Sequence, residues 1–253
     1  MELPLILLAP NGARKTKADH PRLPITVQEV IDETHEAVAQ GAGGLHAHIR
    51  DAEGKHSLDT GLYREMLEET ERAFPGLFIQ VTTEAVGLYS ADYQRQLVRD
   101  LRPCHVSIGM KEVMSDGDMD EVRRFYAFCA AEGIAVQHIL YNEDQCREFL
   151  HHKQRGLIPG PKPQVIHVLG RYSVGQVSDP ADVAGRVAIL SEGGLDTDWS
   201  LCAFGRNETA CLLEAIRLGG KARIGFENNL EQPDGSIAES NADRVRDLVS
   251  RLN

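Results

Sequence analysis

Two histidines one residue apart are the feature of the sequence with the clearest chemical meaning. His46 and His48 lie in the stretch GGLHAHIRDAEG, residues 43–54. Side chains two positions apart on a β-strand point to the same face, so the two imidazoles can converge on one point. Neutral imidazoles are common ligands of zinc and similar divalent ions. The pattern favours a metal site, and the alternative that it leaves open is a pair of hydrogen-bonded core histidines.

The elements that must position these histidines alternate between short β-rich runs and longer segments of helical period. The first helix has Thr26 as its N-cap, with Glu29 completing a capping box and Gly41 as its stop. The pattern predicts strands at 3–9, 43–51, 77–83, 105–110, 134–141, 164–170, 198–204 and 222–228. It predicts the later helices at 59–73, 90–101, 119–132, 143–154, 181–192, 208–218 and 241–252.

Eight strand–helix units in 253 residues predict a (β/α)8 TIM barrel, an α/β fold that forms a single domain over residues 1–253. No Pro-, Gly- or Ser-rich linker separates the chain into halves. A doubly wound open sheet is the structural alternative. The dinucleotide-binding version of that sheet is disfavoured, because no GxGxxG follows the first predicted strand.

Strand order in a closed barrel indicates where a third metal ligand would come from. Strand eight neighbours strand one, and strand one neighbours strand two, so the end of strand eight is within side-chain reach of His46 and His48. Glu227 lies there, in the stretch GFENN. Two histidines and one glutamate would complete a catalytic type of zinc site with an open position. The alternative for Glu227 is a carboxylate that caps a helix or lies on the barrel rim.

Other polar side chains are expected at the same mouth of the barrel, where the carboxyl ends of the strands meet. Arg223 is expected to point inward one layer below Glu227, and a buried arginine requires an anionic partner from the protein or the substrate. A structural hydrogen bond is the alternative to a catalytic role for each of these residues. The set is Arg50, Asp51, Thr82, Thr83, Glu84, Ser107, His138, Asn142 and Arg223.

Composition restricts the partners of the protein. The formal net charge of −11 argues against nucleic acid and against an anionic membrane surface. Five cysteines, an odd number without CxxC spacing, indicate reduced thiols. The first ten residues, MELPLILLAP, lack a basic region, and their apolar run is too short for a signal peptide or a membrane span. We therefore expect a cytoplasmic protein without membrane segments.

With these residues in place, the chain resembles the β-keto acid cleavage enzymes, the family that includes 3-keto-5-aminohexanoate cleavage enzyme. The resemblance runs nearly end to end. Its most specific part combines the HxHxRD element at residues 46–51 with the GFENNL stretch at residues 225–230. Further matching stretches are NGARKTKADHPRLPIT near the start, GAGGLHAHIRDAEGKHSLDTGLYREMLE, IQVTT, and ARIGFENNLEQPDGSIAESNADRVRDL at the end.

The resemblance implies a TIM barrel with one zinc ion bound by His46, His48 and Glu227. It implies that a β-keto acid and acetyl-CoA become acetoacetate and a new acyl-CoA, with zinc polarising the β-keto oxygen. Members of the family are commonly homotetramers, so we expect a homotetramer or a homodimer. Residues at the family's catalytic and charge-stabilising positions are Arg223, Asn228, Thr82 and Ser107. We expect the remaining polar side chains of the mouth to contact substrate, and these are Asn11, Arg14, Arg50, Thr83, Glu84, His138 and Arg171.

Several positions depart from the family pattern. An acid thought to handle protons usually follows the metal glutamate, whereas this chain has Asn228, whose amide cannot act as a base. Where a member with an amino-bearing substrate reads TGAE in its first loop, this chain reads NGAR. Arg14 would repel an amine and attract a carboxylate. The usual Pro-Glu-x-Glu run of strand five is replaced by VQHIL. These changes predict an anionic substrate and leave His138 or Glu84 to carry the proton.

Two further functions remain open at the level of sequence. A metal-dependent hydrolase of the amidohydrolase kind would have its HxH on strand one and an Asp on strand eight, which differs from this chain. It would also use histidines at strands five and six, where His138 and His167 occur. The other alternative is a metal-binding barrel that has lost its base and serves in binding or sensing, and Asn228 is the feature in its favour.

Overall fold

The computed structural model describes residues 2–252 and contains ten strands and nine α-helices within them. The strands are β1 (Ile6–Leu8), β2 (Gly44–Ala47), β3 (Ile49–Arg50), β4 (His56–Ser57), β5 (Phe78–Thr82), β6 (His105–Gly109), β7 (Ala135–Leu140), β8 (Gln164–Leu169), β9 (Asp198–Ala203) and β10 (Lys221–Ile224). The helices are α1 (Val27–Ala39), α2 (Thr60–Ala73), α3 (Ala91–Leu101), α4 (Met110–Val113), α5 (Met119–Ala131), α6 (Glu143–Gln154), α7 (Ala181–Glu192), α8 (Glu208–Arg217) and α9 (Asn241–Ser250).

Eight of the strands close into a parallel barrel, which confirms the predicted TIM-barrel fold. β1 pairs with β10 on one side and with β2 on the other, and the order continues through β5, β6, β7, β8 and β9. The open sheet considered as an alternative would leave β1 and β10 unpaired with each other, so it is wrong. β3 and β4 form a separate antiparallel hairpin that the sequence pattern did not predict.

Local capping chemistry explains why the helix boundaries agree closely with the sequence pattern. Thr26 and Glu29 form the predicted capping box at the start of α1. Asp59, Ser90 and Asn142 each accept a hydrogen bond from a backbone N–H in the first turn of the helix that follows. Each of these side chains satisfies an N–H group that has no partner within its own helix.

The barrel interior is layered from the amino ends of the strands to the carboxyl ends. Leu3, Leu7 and Phe78 form an apolar floor, on which the His105 ring stacks against Phe78. Above this floor, one side of the interior carries hydrogen-bonding side chains. The other side is apolar and consists of Ile139, Ile166, Val168, Cys202 and Phe204. The open mouth above these layers is therefore polar on the side of β2 and β10, where the candidate metal residues lie.

Two strands end earlier than the sequence pattern predicts. β2 stops at Ala47, because the backbone N–H of His48 is taken by the Asn11 side chain at 3.3 Å. β10 stops at Ile224, and the chain then turns at Gly225, whose φ is +146° and whose Cβ position would lie 2.3 Å from the Ala9 carbonyl oxygen. Glu227 therefore lies in a turn beyond the strand, which corrects its predicted place in the strand itself.

Among residues 2–252, no helix has both the length and the apolar character needed to cross a bilayer. All five cysteines are free thiols, and four of them are buried while Cys104 is exposed.

Candidate metal centre

His46, His48 and Glu227 come together at the carboxyl end of the barrel, as the sequence predicted. One ligand atom from each lies within 4.8 Å of the others. The Nε2 atom of His46 is 3.5 Å from Oε2 of Glu227, and Nε2 of His48 is 3.8 Å from the same oxygen. Both histidines are at most 2% exposed. The cluster is thus compact, buried and rich in the donor atoms that a divalent ion prefers.

The geometry of the cluster fits a metal ion. Ligands about 2.1 Å from a tetrahedral zinc are separated from one another by about 3.4 Å, and the two histidine nitrogens lie 3.5 Å and 3.8 Å from Oε2 of Glu227, close to that value. The buried Oε2 of Glu227 and the buried Nδ1 of His48 have no hydrogen-bond partner within the described chain. A buried carboxylate oxygen without a donor is costly, and a cation between the three side chains would satisfy it.

A chain of amide side chains across the barrel fixes the tautomer of His46. The Val165 carbonyl can only accept, so the Gln137 amide nitrogen faces it at 3.2 Å, and the Gln137 oxygen accepts from Gln80 at 3.0 Å. The remaining oxygen of Gln80 then accepts from Nδ1–H of His46 at 2.8 Å. Nε2 of His46 consequently carries a lone pair, which faces the Arg223 guanidinium at 3.1 Å and which a metal ion could bind instead.

The first loop clamps His48 and approaches Glu227. Asn11 donates to the His48 carbonyl oxygen at 2.9 Å and accepts from the His48 N–H. The neighbouring Gly12 has a φ of +62°, and a Cβ there would lie 2.5 Å from Cγ of Glu227. Only glycine permits this close approach. Asn11, predicted to contact substrate, thus also positions a metal ligand.

Glu227 is held from both sides. Arg223 donates to its Oε1 at 3.1 Å and also contacts Nε2 of His46 at 3.1 Å. Lys15 donates to the Glu227 backbone carbonyl at 2.6 Å. Arg223 is 4% exposed and points inward, as predicted. The carboxylate is therefore fixed in orientation by a buried cation while its second oxygen remains available.

The electrostatics of the cluster favour the ligand form of each residue. Burial, and then the charge of Arg223, lowers the pKa of His46 to about 4. Burial, and then His46, lowers the pKa of His48 well below its usual value. Burial opposes ionisation of Glu227, but Arg223 and His46 outweigh it and lower its pKa. Neutral imidazoles and an ionised carboxylate are the states that a metal requires.

The two hydroxyl residues predicted to be catalytic share the inner face with the cluster. Thr82 lines the small cavity above His46 and His48 and accepts from the Glu84 N–H at 3.1 Å. Ser107 lies beside Thr82 in the register of β5 and β6, and its buried Oγ has no hydrogen-bond partner in the described chain. Thr83 has the opposite parity and packs against the Ser107 carbonyl. Its placement favours the structural alternative over substrate contact.

Arg50 anchors the first loop. Its guanidinium donates to the carbonyl oxygens of Gly12, Lys15 and Gly54, the last two at 2.9 Å and 3.0 Å. These contacts engage its guanidinium with backbone carbonyls, which favours the structural alternative over the predicted substrate contact. The loop that it holds carries the exposed Arg14 to a cavity of about 170 Å³ at the mouth.

Glu84 and Arg171 meet above the cluster. Oε2 of Glu84 is 3.8 Å from Nε2 of His48, and its Oε1 is 3.6 Å from the Arg171 guanidinium. Arg171 also lies over the Phe204 ring at 5.0 Å. Burial, and then Glu227, raises the pKa of Glu84. Arg14, Glu84 and Arg171 all line the mouth cavity, so the structure brings these three predicted residues together.

His138 was expected at the mouth, and the structure corrects this. Because Gln137 points into the barrel, His138 points outward to the helices. Its Nδ1 donates to the Gln164 carbonyl at 3.1 Å and its Nε2 accepts from the Tyr126 hydroxyl at 3.1 Å. His167 likewise faces Cys146 at 3.7 Å. Neither histidine reaches the mouth, which removes the histidines that the hydrolase alternative would use.

Asn228 is 2% exposed and is tied to a buried ion pair. Its Nδ2 donates to Oε1 of Glu208 and to the Arg223 carbonyl, both at 3.1 Å. Glu208 in turn pairs with Arg244 at 2.8 Å, and neither side chain is exposed. An acid at position 228 would place a carboxylate against Glu208. This contact gives a physical reason for the amide in this chain.

Three residues that shape the site were missed by the sequence reasoning. Lys15 follows Arg14 in the first loop, where a lysine by itself gives no indication of a role in the site. Gln80 has the same strand parity as Thr82, so the parity rule could have placed it in the interior. His56 lies on the hairpin strand β4, and its Nε2 donates to the Glu84 carbonyl at 2.7 Å. No pattern in the sequence indicated that hairpin.

The fold and the cluster define a TIM barrel with a candidate metal centre at the carboxyl ends of its strands. A family model described as beta-keto acid cleavage enzyme matches residues 4–253. The chain belongs to the beta-keto acid cleavage enzyme family, as the sequence resemblance indicated.

Individual relatives are distant but similar over nearly their whole length. The chain is 26% identical to 3-keto-5-aminohexanoate cleavage enzyme of Fusobacterium nucleatum, over 98% of this chain and 91% of the relative. It is 27% identical to 3-oxoadipate:acetyl-CoA acetyltransferase of Cupriavidus necator, over 97% and 87%. The solved structure of ObcA with oxaloacetate has a TM-score of 0.68 at 15% identity, covering 92% of this chain and 64% of that one. At that identity the likeness to ObcA shows the fold alone.

Proposed function

We propose that the protein transfers the acyl group of a β-keto acid to coenzyme A, with acetyl-CoA as co-substrate and a divalent metal, zinc, held by His46, His48 and Glu227. The observation that carries this proposal is the compact, partly unsatisfied cluster at the mouth of a barrel that belongs to this family. The relative from Cupriavidus necator, an acetyl-CoA acetyltransferase of 3-oxoadipate by name, supports the same reaction class.

The overall exchange is balanced without any further reactant. The bond between the α- and β-carbons of the keto acid breaks, and its acyl group ends on the sulfur of coenzyme A. The acetyl group ends on the freed α-carbon as acetoacetate. A zinc ion in the cluster would act as a Lewis acid toward the keto oxygen.

The residues of the chain divide the remaining tasks. Arg223 presents a buried guanidinium to the reacting centre, where it can balance negative charge that develops on oxygen. The hydroxyls of Thr82 and Ser107 lie along the same face and can donate to the substrate. Of the two residues expected to move the proton, only Glu84 lies in the mouth, so we assign that role to Glu84.

The charge of the mouth supports an anionic substrate. Arg14, Lys15 and Arg171 line the mouth cavity together with Glu84 and Glu227. Once the two carboxylates are engaged with a metal and with Arg171, the free cations are those of the first loop. A carboxylate at the distal end of the keto acid would pair with them, whereas an amine would be repelled.

Turnover with a substrate panel tests the proposal. Zinc-loaded protein and acetyl-CoA should convert a keto dicarboxylate to its acyl-CoA faster than an amino-bearing keto acid, with the products identified by mass spectrometry. Arg14→Glu should shift this preference toward the amino-bearing substrate, and Arg123→Glu, an exposed cation on α5, should leave it unchanged. Absence of acyl-CoA from every member of the panel, with the metal bound, would refute the proposal.

The alternative of a barrel that has lost its activity, based on Asn228, requires its own test. Asn228→Asp alone would place a second carboxylate against that of Glu208. The exchange variant Asn228→Asp/Glu208→Gln keeps one amide and one carboxylate in contact. Conversion of any keto acid by the wild-type protein would exclude the non-enzymatic alternative. A silent wild type with an active exchange variant would establish it.

A further inference from the structure

A second cavity adjoins the metal cluster and is larger than the mouth itself. It measures about 450 Å³ and is enclosed by the loops after β8, β9 and β10. The loops touch at Gly205, where φ is +85° and a Cβ would lie 2.2 Å from the Gln176 carbonyl oxygen. The Ser178 hydroxyl donates to the Phe204 carbonyl at 2.6 Å, and Asn207 donates to the Ser178 carbonyl at 2.8 Å. These contacts make the cavity a built feature of the fold.

The cavity is continuous with the proposed catalytic mouth. Lys15 and Gln176 line both spaces, and the mouth cavity is also lined by Glu84 and Glu227. A long ligand could therefore lie in the second cavity and place one end beside the metal cluster. Acetyl-CoA has this shape, because its reactive thioester ends a narrow arm.

One polar atom in the lining has no partner. Nδ2 of Asn228 must face Glu208 and the Arg223 carbonyl, because both of those groups can only accept from it. This fixes the amide with Oδ1 on the opposite side, and that buried oxygen has no hydrogen-bond partner within residues 2–252. Asn228 lines the second cavity. Asn228 is thus a lining residue whose buried amide oxygen still needs an N–H donor.

The rest of the cavity lining includes both apolar and cationic surface. Val177 and Ile237 line it and are 64% and 59% exposed. Arg206 and Glu231 both line the cavity and pair with each other at 3.2 Å, and this exposed pair is weak enough to be exchanged. The loops after the last two strands of a TIM barrel commonly take part in phosphate binding, and Arg206 lies in the loop after β9.

We infer that this cavity binds the pantetheine arm of acetyl-CoA, with Asn228 accepting a hydrogen bond from an amide N–H of the arm, Val177 and Ile237 covering its dimethyl group, and Arg206 facing the diphosphate. The inference rests on the proposed function, since it assigns the place of the co-substrate in that reaction. It gives Asn228 a binding role at the position where the family usually has an acid.

Two valines of one loop provide a matched test. Val177 lines the cavity, and Val174 is 97% exposed and lies outside the lining. Coenzyme A is titrated calorimetrically into zinc-loaded protein. Val177→Asp should raise the Kd roughly fivefold or more, through loss of apolar contact and repulsion of the diphosphate. Val174→Asp should leave the Kd within about twofold. Equal effects of the two variants, or no binding of coenzyme A to the wild type, would overturn the inference.

A short thioester substrate distinguishes an effect on binding of the pantetheine arm from an effect on the chemical step. Acetyl-S-N-acetylcysteamine keeps the reactive end and lacks the dimethyl group and the diphosphate. Val177→Asp should raise the KM for acetyl-CoA and leave the KM for the short thioester unchanged, and a parallel change in both would overturn the inference. Binding of coenzyme A that responds to Val177→Asp, without turnover of any keto acid, would refute the proposed function while supporting the cavity assignment.

Discussion

His46 and His48 at the end of β2 are as buried as His138 on β7 and His167 on β8, yet their surroundings differ. His138 has both ring nitrogens engaged by protein groups, the Gln164 carbonyl and the Tyr126 hydroxyl. His46 has Nδ1 engaged by Gln80, while its Nε2 is directed at Glu227 and accepts only from the Arg223 guanidinium within the described chain. Strand parity decides which face each residue occupies, and the face decides whether a nitrogen remains for a metal.

Burial lowers the pKa of both kinds of histidine. The pKa is about 4 for His46 and about 4 for His138, with desolvation the largest cause in each case. A lowered pKa therefore does not distinguish a metal ligand from a core residue. The arrangement of partners around the second nitrogen distinguishes them.

The largest effect should come from removing one histidine of each kind. His46→Ala removes a ligand, and the affinity for zinc should fall by more than about 100-fold, beyond the range seen for outer partners of a ligand. His138→Ala leaves a cavity and an unpaired Tyr126 hydroxyl, so the free energy of unfolding should fall by about 3 kcal/mol with zinc affinity unchanged. Chelator competition and urea unfolding measure the two quantities. Loss of zinc affinity in His138→Ala would contradict the distinction between interior histidines that bind a metal and helix-facing histidines that do not.

The same comparison can be sharpened at the residue behind His46. Gln80→Leu removes the acceptor that fixes the tautomer of His46, so zinc affinity should fall by about 10- to 100-fold. Gln94→Leu is the matched control, because Gln94 is a buried glutamine on α3, outside the barrel. Equal zinc affinities in the two variants would show that the amide chain does not set the ligand state.

Measured over one pH unit, the smallest effect concerns the pH dependence of stability. Since burial lowers the pKa of His138 from 6.5 to about 4, the unfolded chain binds the extra proton first as the pH falls. The stabilisation is complete above pH 6.5 and is lost progressively between pH 6.5 and 4, by about 1.4 kcal/mol per pH unit. His138→Gln should reduce the slope of the free energy of unfolding against pH by that amount. The control His151→Gln, on the surface of α6, should leave the slope unchanged. Parallel curves for wild type and His138→Gln would contradict this.

Much of the fold follows from local patterns. The capping box of Thr26 and Glu29 is a sequence motif with a direct hydrogen-bond basis, so it predicted the start of α1 correctly. The helices predicted at 59–73 and 90–101 also begin within a residue of the observed starts, where Asp59 and Ser90 prove to be the N-caps. The period of the strands and their number predicted the barrel. The three members of the cluster followed because barrel closure brings the first, second and last strands together.

The remaining features depend on contacts between distant residues. The parity of His138 cannot be read from a strand that is buried on both faces, because apolar residues occur on either side. The clamp of Asn11 on His48 spans 37 positions, and the tie of Asn228 to Glu208 spans 20. Such pairs carry no local signal, so the early end of β2 and the reason for the amide at position 228 emerged only from the structure.

The central claim is that the interior histidines, and not the helix-facing ones, hold a metal with Glu227. Anomalous diffraction at the zinc edge from crystals of zinc-loaded protein tests it most directly. The account predicts one ion per chain, about 2.0–2.2 Å from a nitrogen of His46, a nitrogen of His48 and a carboxylate oxygen of Glu227. No anomalous peak at this cluster, or an ion bound at His138 or His167 instead, would contradict it.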